Sequence, residues 1–338
     1  MTVYFSTFTA GFSALILDLM KRDIEKAKNI EIFDGGVVYE SDVDPGDIGK
    51  IKYFNNSFIV LRKYRYDTNP STEVLNRIIC DLLNSKKGLS IPSTAMKSFK
   101  VLSSLENTLA KVDGKLMYHL VEFLKNKTGK SYNSNSADSE FWILYRSEMV
   151  GFFMLRITQN KKKLKKGELR PELTNLLCEL SEPEEDDVFI DPFCGSGAIA
   201  LERSRMLNFR GIFASDGDEN LISALRNKIK KMKASKIQKS FFVKKLDFFA
   251  NSFDDDFFDT MVTDPPWGIY ENIEEDFYPK FLEEASRILK PNGKLVLLTA
   301  KKEYFYGDSR IGNFFLKKHF DILVSGKKTG VYLLIKSR

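Results

Sequence analysis

Two histidines, two tryptophans and three cysteines are all that 338 residues contain of these types. His119 and His319 cannot build a histidine metal site alone. Cys80, Cys178 and Cys194 lie far apart with no ligand spacing. A zinc module and a disulfide framework are both excluded, and the chain reads as reduced, metal-free and cytoplasmic. No 18-residue apolar run occurs and no charged leader precedes an apolar stretch. Neither a membrane helix nor a signal peptide is expected. No internal repeat is visible. Neither sign of charge dominates: 52 Lys and Arg against 46 Asp and Glu leave +6, a mild basic excess that suits a polyanionic partner without requiring one.

What is abundant is aromatic surface. Phenylalanine occurs 28 times and hydrophobic residues make up 43% of the chain, enough to fill packed cores and far from a disordered composition. The length predicts two or three domains. Residues 1 to about 60 read as strand, helix (Phe12 to Ala27), strand and an extended apolar stretch that includes Phe58 to Leu61. An α+β stretch follows to about 155. Thr72 to Asn84 places apolar residues at 74, 75, 78, 79, 82 and 83, a helical stripe, and Leu116 to Lys127 reads as a second helix. Phe99 to Val101, Phe141 to Tyr145 and Gly151 to Arg156 read as strands, with a polar surface loop over 131–139. A lysine run at 161–166 reads as a hinge.

From about 170 the rhythm becomes strand, glycine turn, helix, strand. Strands are predicted at 187–191, 211–215, 241–246, 258–263 and 294–299, with Pro291-Asn-Gly293 as a turn feeding the last. Phe320 to Val324 and Val331 to Ile335, joined by a Gly-Lys-Lys-Thr-Gly turn, form a hairpin. Repeated strand-helix units predict a parallel α/β sheet with an antiparallel edge pair.

Two motifs follow strands of that sheet: Asp191-Pro-Phe-Cys-Gly-Ser-Gly197 and Asp264-Pro-Pro-Trp267. An open α/β sheet binds ligands beyond the carboxyl ends of its strands, so both should line one crevice. Gly195-Ser-Gly197-Ala-Ile-Ala200 fits the loose nucleotide fingerprint, whose glycines allow a tight turn and close backbone approach. Asp191 chooses the ligand. A carboxylate there repels a pyrophosphate and suits a cationic cofactor such as S-adenosylmethionine. Asp216, at the next strand end, can accept from both ribose hydroxyls, and Asp247, at the third, from the adenine amino group. Any one of these aspartates alone could be a helix cap. Three in succession at three strand ends favour a cofactor. Phe193 and Ser196 of the first loop join the candidate cofactor residues. Cys194 reads as a small packing residue, because no histidine accompanies it.

The second motif is a fork of acceptors. Pro265 and Pro266 lack N–H donors, so their carbonyls, like the Asp264 carboxylate, are acceptors with no donor close by on those residues. An exocyclic NH2 has two hydrogens for such a fork, and its lone pair can then attack a sulfonium methyl in line. Trp267 offers a flat face for the target base, and a base in a duplex would first be flipped out. Tyr270 belongs either to the base pocket or to ordinary loop packing. Lysines cluster at 161–166 with Arg170, at 228–245 and across 86–130. They read partly as solvated faces and partly as backbone contacts to nucleic acid.

On these residues the chain resembles the THUMP-containing RNA methyltransferases that make N2-methylguanosine in tRNA or ribosomal RNA. The resemblance covers nearly the whole length and is strongest at the Asp191 and Asp264 motifs. Thr7 to Phe12 followed by Gly35-Gly-Val-Val-Tyr39 is similar to that family's ferredoxin-like region, although Phe12-Ser13 departs from its usual Leu-Glu. Gly167 to Leu173 is similar to the segment leading into the catalytic domain, which makes Arg170 a candidate cofactor neighbour. The resemblance implies a class I Rossmann-like methyltransferase sheet at 181–338. It also implies a ferredoxin-like domain at 1–62, a THUMP RNA-binding domain at 63–158 and a basic linker with a leading helix at 159–180. It implies a monomeric enzyme using S-adenosylmethionine on guanine N2, with tRNA as acceptor. Ribosomal RNA, a DNA adenine-N6 or cytosine-N4 acceptor, and an RNA-binding protein with an inactive scaffold are the alternatives. Asp264, Pro265, Pro266 and Trp267 would carry the chemistry; Arg170, Asp191, Phe193, Gly195, Ser196, Gly197, Asp216 and Asp247 would hold the cofactor; no metal is required.

Overall fold

The computed structural model describes residues 1–92, 96–158, 164, 168–232, 240–269, 272–305 and 310–338. The lysine run at 161–166, Lys233, Lys236, Lys239 and Tyr270 lie outside them. The chain divides into two compact units, one of Met1–Phe8 with Ile16–Lys161 and one of Thr9–Leu15 with Lys162–Arg338.

The first unit begins with β1 (Thr2–Thr7), α1 (Ser13–Asp23), β2 (Lys28–Phe33), β3 (Gly36–Ser41), the single turn α2 (Pro45–Ile48) and β4 (Asn56–Arg65). It continues with α3 (Thr72–Leu83), β5 (Ser98–Leu105), β6 (Thr108–Leu109), α4 (Gly114–Thr128), β7 (Ser131–Tyr132), β8 (Ser139–Arg146) and β9 (Val150–Arg156). All nine strands share one sheet, in the order β2-β3-β1-β4-β9-β8-β5-β6 with β7 also on β5. The expected boundary at residue 62 therefore falls inside a strand. The stripe predicted on α3 is buried at Val74, Leu75, Ile78, Ile79 and Leu82. It packs on Phe99, Phe141 and Phe153 of the sheet, each such side chain contributing about 1.5–3 kcal/mol. Asp113 caps α4 by accepting from the Lys115 and Leu116 N–H groups (2.9 and 3.0 Å), and Gly129, at φ +67°, ends it. Helix α1 stops at Asp23, short of the expected Ala27, and Lys26 takes a positive φ.

The second unit opens with α5 (Pro171–Leu180) and β10 (Val188–Asp191), followed by α6 (Ala198–Arg203), β11 (Gly211–Asp216), α7 (Glu219–Lys230), β12 (Phe241–Lys245) and β13 (Phe258–Thr263). Then come α8 (Phe277–Ile288), β14 (Leu289–Thr299), β15 (Arg310–Ile311), β16 (Phe314–Val324) and β17 (Lys327–Lys336). The sheet order is β12-β11-β10-β13-β14-β17-β16-β15, parallel through β14 and antiparallel beyond it. This is the class I methyltransferase arrangement expected from the sequence. The order reverses between β10 and β13, the switch point at which such sheets take ligands.

Two turns differ from expectation. Pro291-Asn-Gly293 lies within β14 as an irregularity in its pairing with β13, Asn292 holding φ +64°. The hairpin closes at Ser325-Gly326, both at positive φ, so Lys327 to Gly330 are strand and not turn. That two-residue turn with positive φ at both positions matches the twist of its strands.

Candidate active site

The two motifs meet at the switch point. β10 runs parallel to β13, with Phe189 opposite Thr260 and Ile190 opposite Met261. That register brings the Thr263 hydroxyl to donate to Asp191 Oδ1 at 3.0 Å, in the interior. Thr263 precedes Asp264, so one buried hydrogen bond ties the loops together.

Asp191 is 1% exposed. Burial pushes its carboxyl up to about 8; Thr263 and the Phe193 N–H oppose the rise, and the charges of Asp264 and Asp216 add to it. Its Oδ2 is buried and meets no hydrogen-bond donor of ordinary geometry among the described residues. Asp264 is half-buried, and burial pushes its carboxyl up to about 7 against the pull of the Trp267 indole. Like charges crowd a low-dielectric corner that a cation would relieve.

The glycines of the first loop divide the work. Gly197, at φ +78°, has no room for a side chain, because a Cβ would lie 2.4 Å from Leu225 Cδ1 of α7. Gly195, at φ +50°, faces open space with nothing within 4 Å of a Cβ position. Its N–H donates to Asp216 Oδ2 at 2.9 Å, and the Cys194 N–H donates to the Ser215 carbonyl at 2.9 Å. Asp216 also accepts from the Asp218 N–H at 3.0 Å, and its own carbonyl accepts from the Leu246 N–H at 3.1 Å. A carboxylate with about four acceptor sites keeps capacity for ribose hydroxyls after these bonds. The orphaned Asp191 oxygen and the open face of Gly195 fit a cationic nucleoside cofactor.

The other sequence candidates are placed as follows. Asp247 is exposed and accepts from the Phe249 N–H at 3.0 Å, capping a short 3-10 turn just past β12. Phe193 is half-buried and packs against Phe248, Phe277 and Phe281, with ring centroids 5.5–6.0 Å apart. Ser196 is half-buried beside Gly195. Cys194 is buried, which pushes its thiol well up and fits a packing role. Arg170 is exposed at the start of α5. That helix lies against α6, where the Asn175 amide donates to Glu202 Oε1 at 3.0 Å.

At the second loop the Trp267 indole N–H donates to Asp264 Oδ1 at 2.8 Å. Trp267 is half-buried, and no described aromatic ring stacks on it. The two prolines separate. The Pro266 carbonyl accepts from the Tyr278 hydroxyl at 3.1 Å. The Pro265 carbonyl and Asp264 Oδ2 accept from no described residue. The acceptors left unpaired at this corner, among the described residues, are therefore on Asp264 and Pro265.

Sequence reasoning missed Thr263 and Tyr278. Thr263 is a hydroxyl that closes β13 directly after the apolar pair Met261 and Val262. Tyr278 shares the buried face of α8 with Phe281, Ala285 and Ile288, and a phenol there must find an acceptor. Among the described residues no cluster of His, Cys, Asp and Glu could hold a metal, and no helix is long and apolar enough to cross a membrane.

Against known proteins, the profile of the family described as an RMKL-like methyltransferase domain matches residues 159–314. The chain is 24% identical over 275 residues to the tRNA (guanine(10)-N2)-dimethyltransferase of Methanocaldococcus jannaschii, covering 74% of this chain and 77% of that protein. It is 32% identical over 148 residues to a Methanothermococcus thermolithotrophicus protein named "Probable tRNA (guanine(10)-N2)-dimethyltransferase", covering 38% of this chain and 80% of that one. The crystal structure of TrmN from Thermus thermophilus has the same fold: its TM-score is 0.75 at 18% identity, over 99% of this chain and 100% of that chain.

Proposed function

We propose that this chain, which belongs to the THUMP-containing RNA guanine-N2 methyltransferase family, methylates the exocyclic amino group of a guanosine in tRNA. The observation that carries the proposal is the buried Thr263 to Asp191 hydrogen bond, which joins a cation-seeking loop to an acceptor-only corner. S-adenosylmethionine, when bound, supplies an electrophilic methyl on a sulfonium.

Asp191 would hold the donor's positive charge, and Gly195, Ser196 and Gly197 would let the backbone approach it. Asp216 would accept from the ribose, Asp247 from the adenine amino group, and Arg170 and Phe193 would border the site. Asp264 Oδ2 and the Pro265 carbonyl would each accept one amino hydrogen of guanine. That turns the nitrogen lone pair out of the ring. Trp267 would stack the base, for about 1–3 kcal/mol. Such positioning can supply about 7–11 kcal/mol of the barrier. The methylated nitrogen is acidic, and Asp264 can take its proton.

Within the first unit, residues 63–158 would grip RNA and residues 1–62 would form its ferredoxin-like part. Exposed lysines such as Lys86, Lys87, Lys111, Lys115, Lys127 and Lys130 would contact phosphates. We read the enzyme as a cytoplasmic monomer.

The test incubates the full chain with labelled S-adenosylmethionine and tRNA, ribosomal RNA or duplex DNA, then identifies the product nucleoside by mass spectrometry. N2-methylguanosine in tRNA is expected; a methylated DNA base would overturn the proposal. Asp264→Ala should abolish transfer and leave cofactor binding in calorimetry nearly intact. Retained turnover in that variant would remove Asp264 from the chemistry.

A further inference from the structure

Between Asp264 and Trp267 almost every backbone torsion is fixed by the residues themselves. The rings of Pro265 and Pro266 lock both φ angles. A following proline also restricts Asp264 and Pro265 in ψ. The soft torsions left are ψ of Pro266 and φ of Trp267, and the first of them turns the Pro266 carbonyl and swings Trp267. That carbonyl is the group Tyr278 binds, at 3.1 Å.

Tyr278 is itself held. Its phenol lies 2.5 Å from Thr299 Oγ1, and Thr299 Oγ1 accepts from the Lys301 N–H at 2.9 Å. A phenol has one proton. With that proton on the Pro266 carbonyl, the Thr299 hydroxyl must donate to Tyr278. The direction of the relay is thus fixed: Lys301 N–H to Thr299, Thr299 to Tyr278, Tyr278 to Pro266. Tyr278 and Thr299 are both fully buried, and the Tyr278 ring stacks on Tyr304 with centroids 5.2 Å apart. Burial pushes the phenol far up, so it stays a neutral donor.

We propose that Tyr278, oriented by Thr299, is a positioning residue that locks Pro266 and so sets Trp267 and the Asp264–Pro265 acceptor pair for the incoming amino group. This rests on the function proposed above. It assigns the relay no contact with base or cofactor. Its effect is to occupy one lone pair of the Pro266 carbonyl and to hold the stacking face at one angle.

The test measures kcat and KM on tRNA for the full-length protein and for Tyr278→Phe, Thr299→Ser, Thr299→Val and the double variant Tyr278→Phe/Thr299→Val. Losing one positioned hydrogen bond should lower kcat of Tyr278→Phe about tenfold. KM for cofactor and for tRNA should stay within about twofold. Thr299→Ser should keep wild-type kcat and Thr299→Val should fall between. The double variant should be no slower than Tyr278→Phe, because Thr299 acts through the phenol. Unchanged kcat in Tyr278→Phe, or additive losses in the double variant, would overturn the proposal. Thermal unfolding is run on each protein. If Tyr278→Phe folds poorly, Thr299→Val, which keeps the phenol ring, decides. A wild-type product other than N2-methylguanosine overturns the functional reading, and the same kinetic comparison is then made on the base that is methylated.

Discussion

The loop after β10 is built on glycines and the loop after β13 on prolines. Gly195 and Gly197 both take positive φ, and the first opens backbone toward a ligand. Pro265 and Pro266 remove donors and freedom together. A loop that must wrap a cofactor needs conformations closed to side chains. A loop that must hold two acceptors at one spacing needs the fewest conformations available. Each then delegates its remaining degree of freedom to a side chain: Asp216 holds the Gly195 N–H, and Tyr278 holds the Pro266 carbonyl.

The sharpest way to break the contrast is Gly197→Ala. A side chain at φ +78° costs about 1–2 kcal/mol. Its clash with Leu225 adds about 1–3 kcal/mol. Urea unfolding should therefore show a loss of several kcal/mol.

Next in size is Asp191→Asn. Removing a charged partner should weaken S-adenosylmethionine binding about ten- to a hundredfold in calorimetry. The same variant should alter the pH dependence of stability. The folded Asp191 carboxyl sits at about 8, above its ordinary 3.8, so folding favours the protonated form. Its contribution is fully present below about pH 4 and is lost as pH rises through about 8. The wild-type melting temperature should therefore fall more between pH 5 and 9 than that of Asp191→Asn.

The smallest effect is expected from Trp267→Phe, which keeps a stacking face and loses the indole donor. Asp264 must be ionised to take the proton of the methylated nitrogen, so activity should rise as pH passes about 7. Without the Trp267 N–H that rise should move to higher pH, with about a tenfold loss of kcat at neutral pH. An unmoved pH profile would make Trp267 a stacking surface alone.

The sequence carried much of this because the decisive chemistry is local. Asp191-Pro-Phe-Cys-Gly-Ser-Gly197 and Asp264-Pro-Pro-Trp267 are contiguous, and the strands before them are short apolar runs. The α3 stripe was legible because burial follows a helical period. What could not be read depends on distance in the chain. Thr263 reaches Asp191 across 72 positions, and Tyr278 reaches Pro266 across 12. No local pattern marks either pair. β2 is obscure because Phe33 is its one buried side chain, and Pro291-Asn-Gly293, which has turn composition, is carried inside β14 as an unpaired insertion between Leu289 and Lys294. Asp247 caps its turn through Oδ1, a bond that leaves its other oxygen as an acceptor.

β4 has a consequence for anyone handling the molecule in pieces. It pairs with β1 through its first half and with β9 along its length, Phe58 facing Arg156 and Arg65 facing Val150. A recombinant fragment beginning at residue 63 would start in mid-strand and leave much of β9 as a bare, sticky margin, a template for aggregation. The first sixty residues and the hundred after them must travel together in any chimaera.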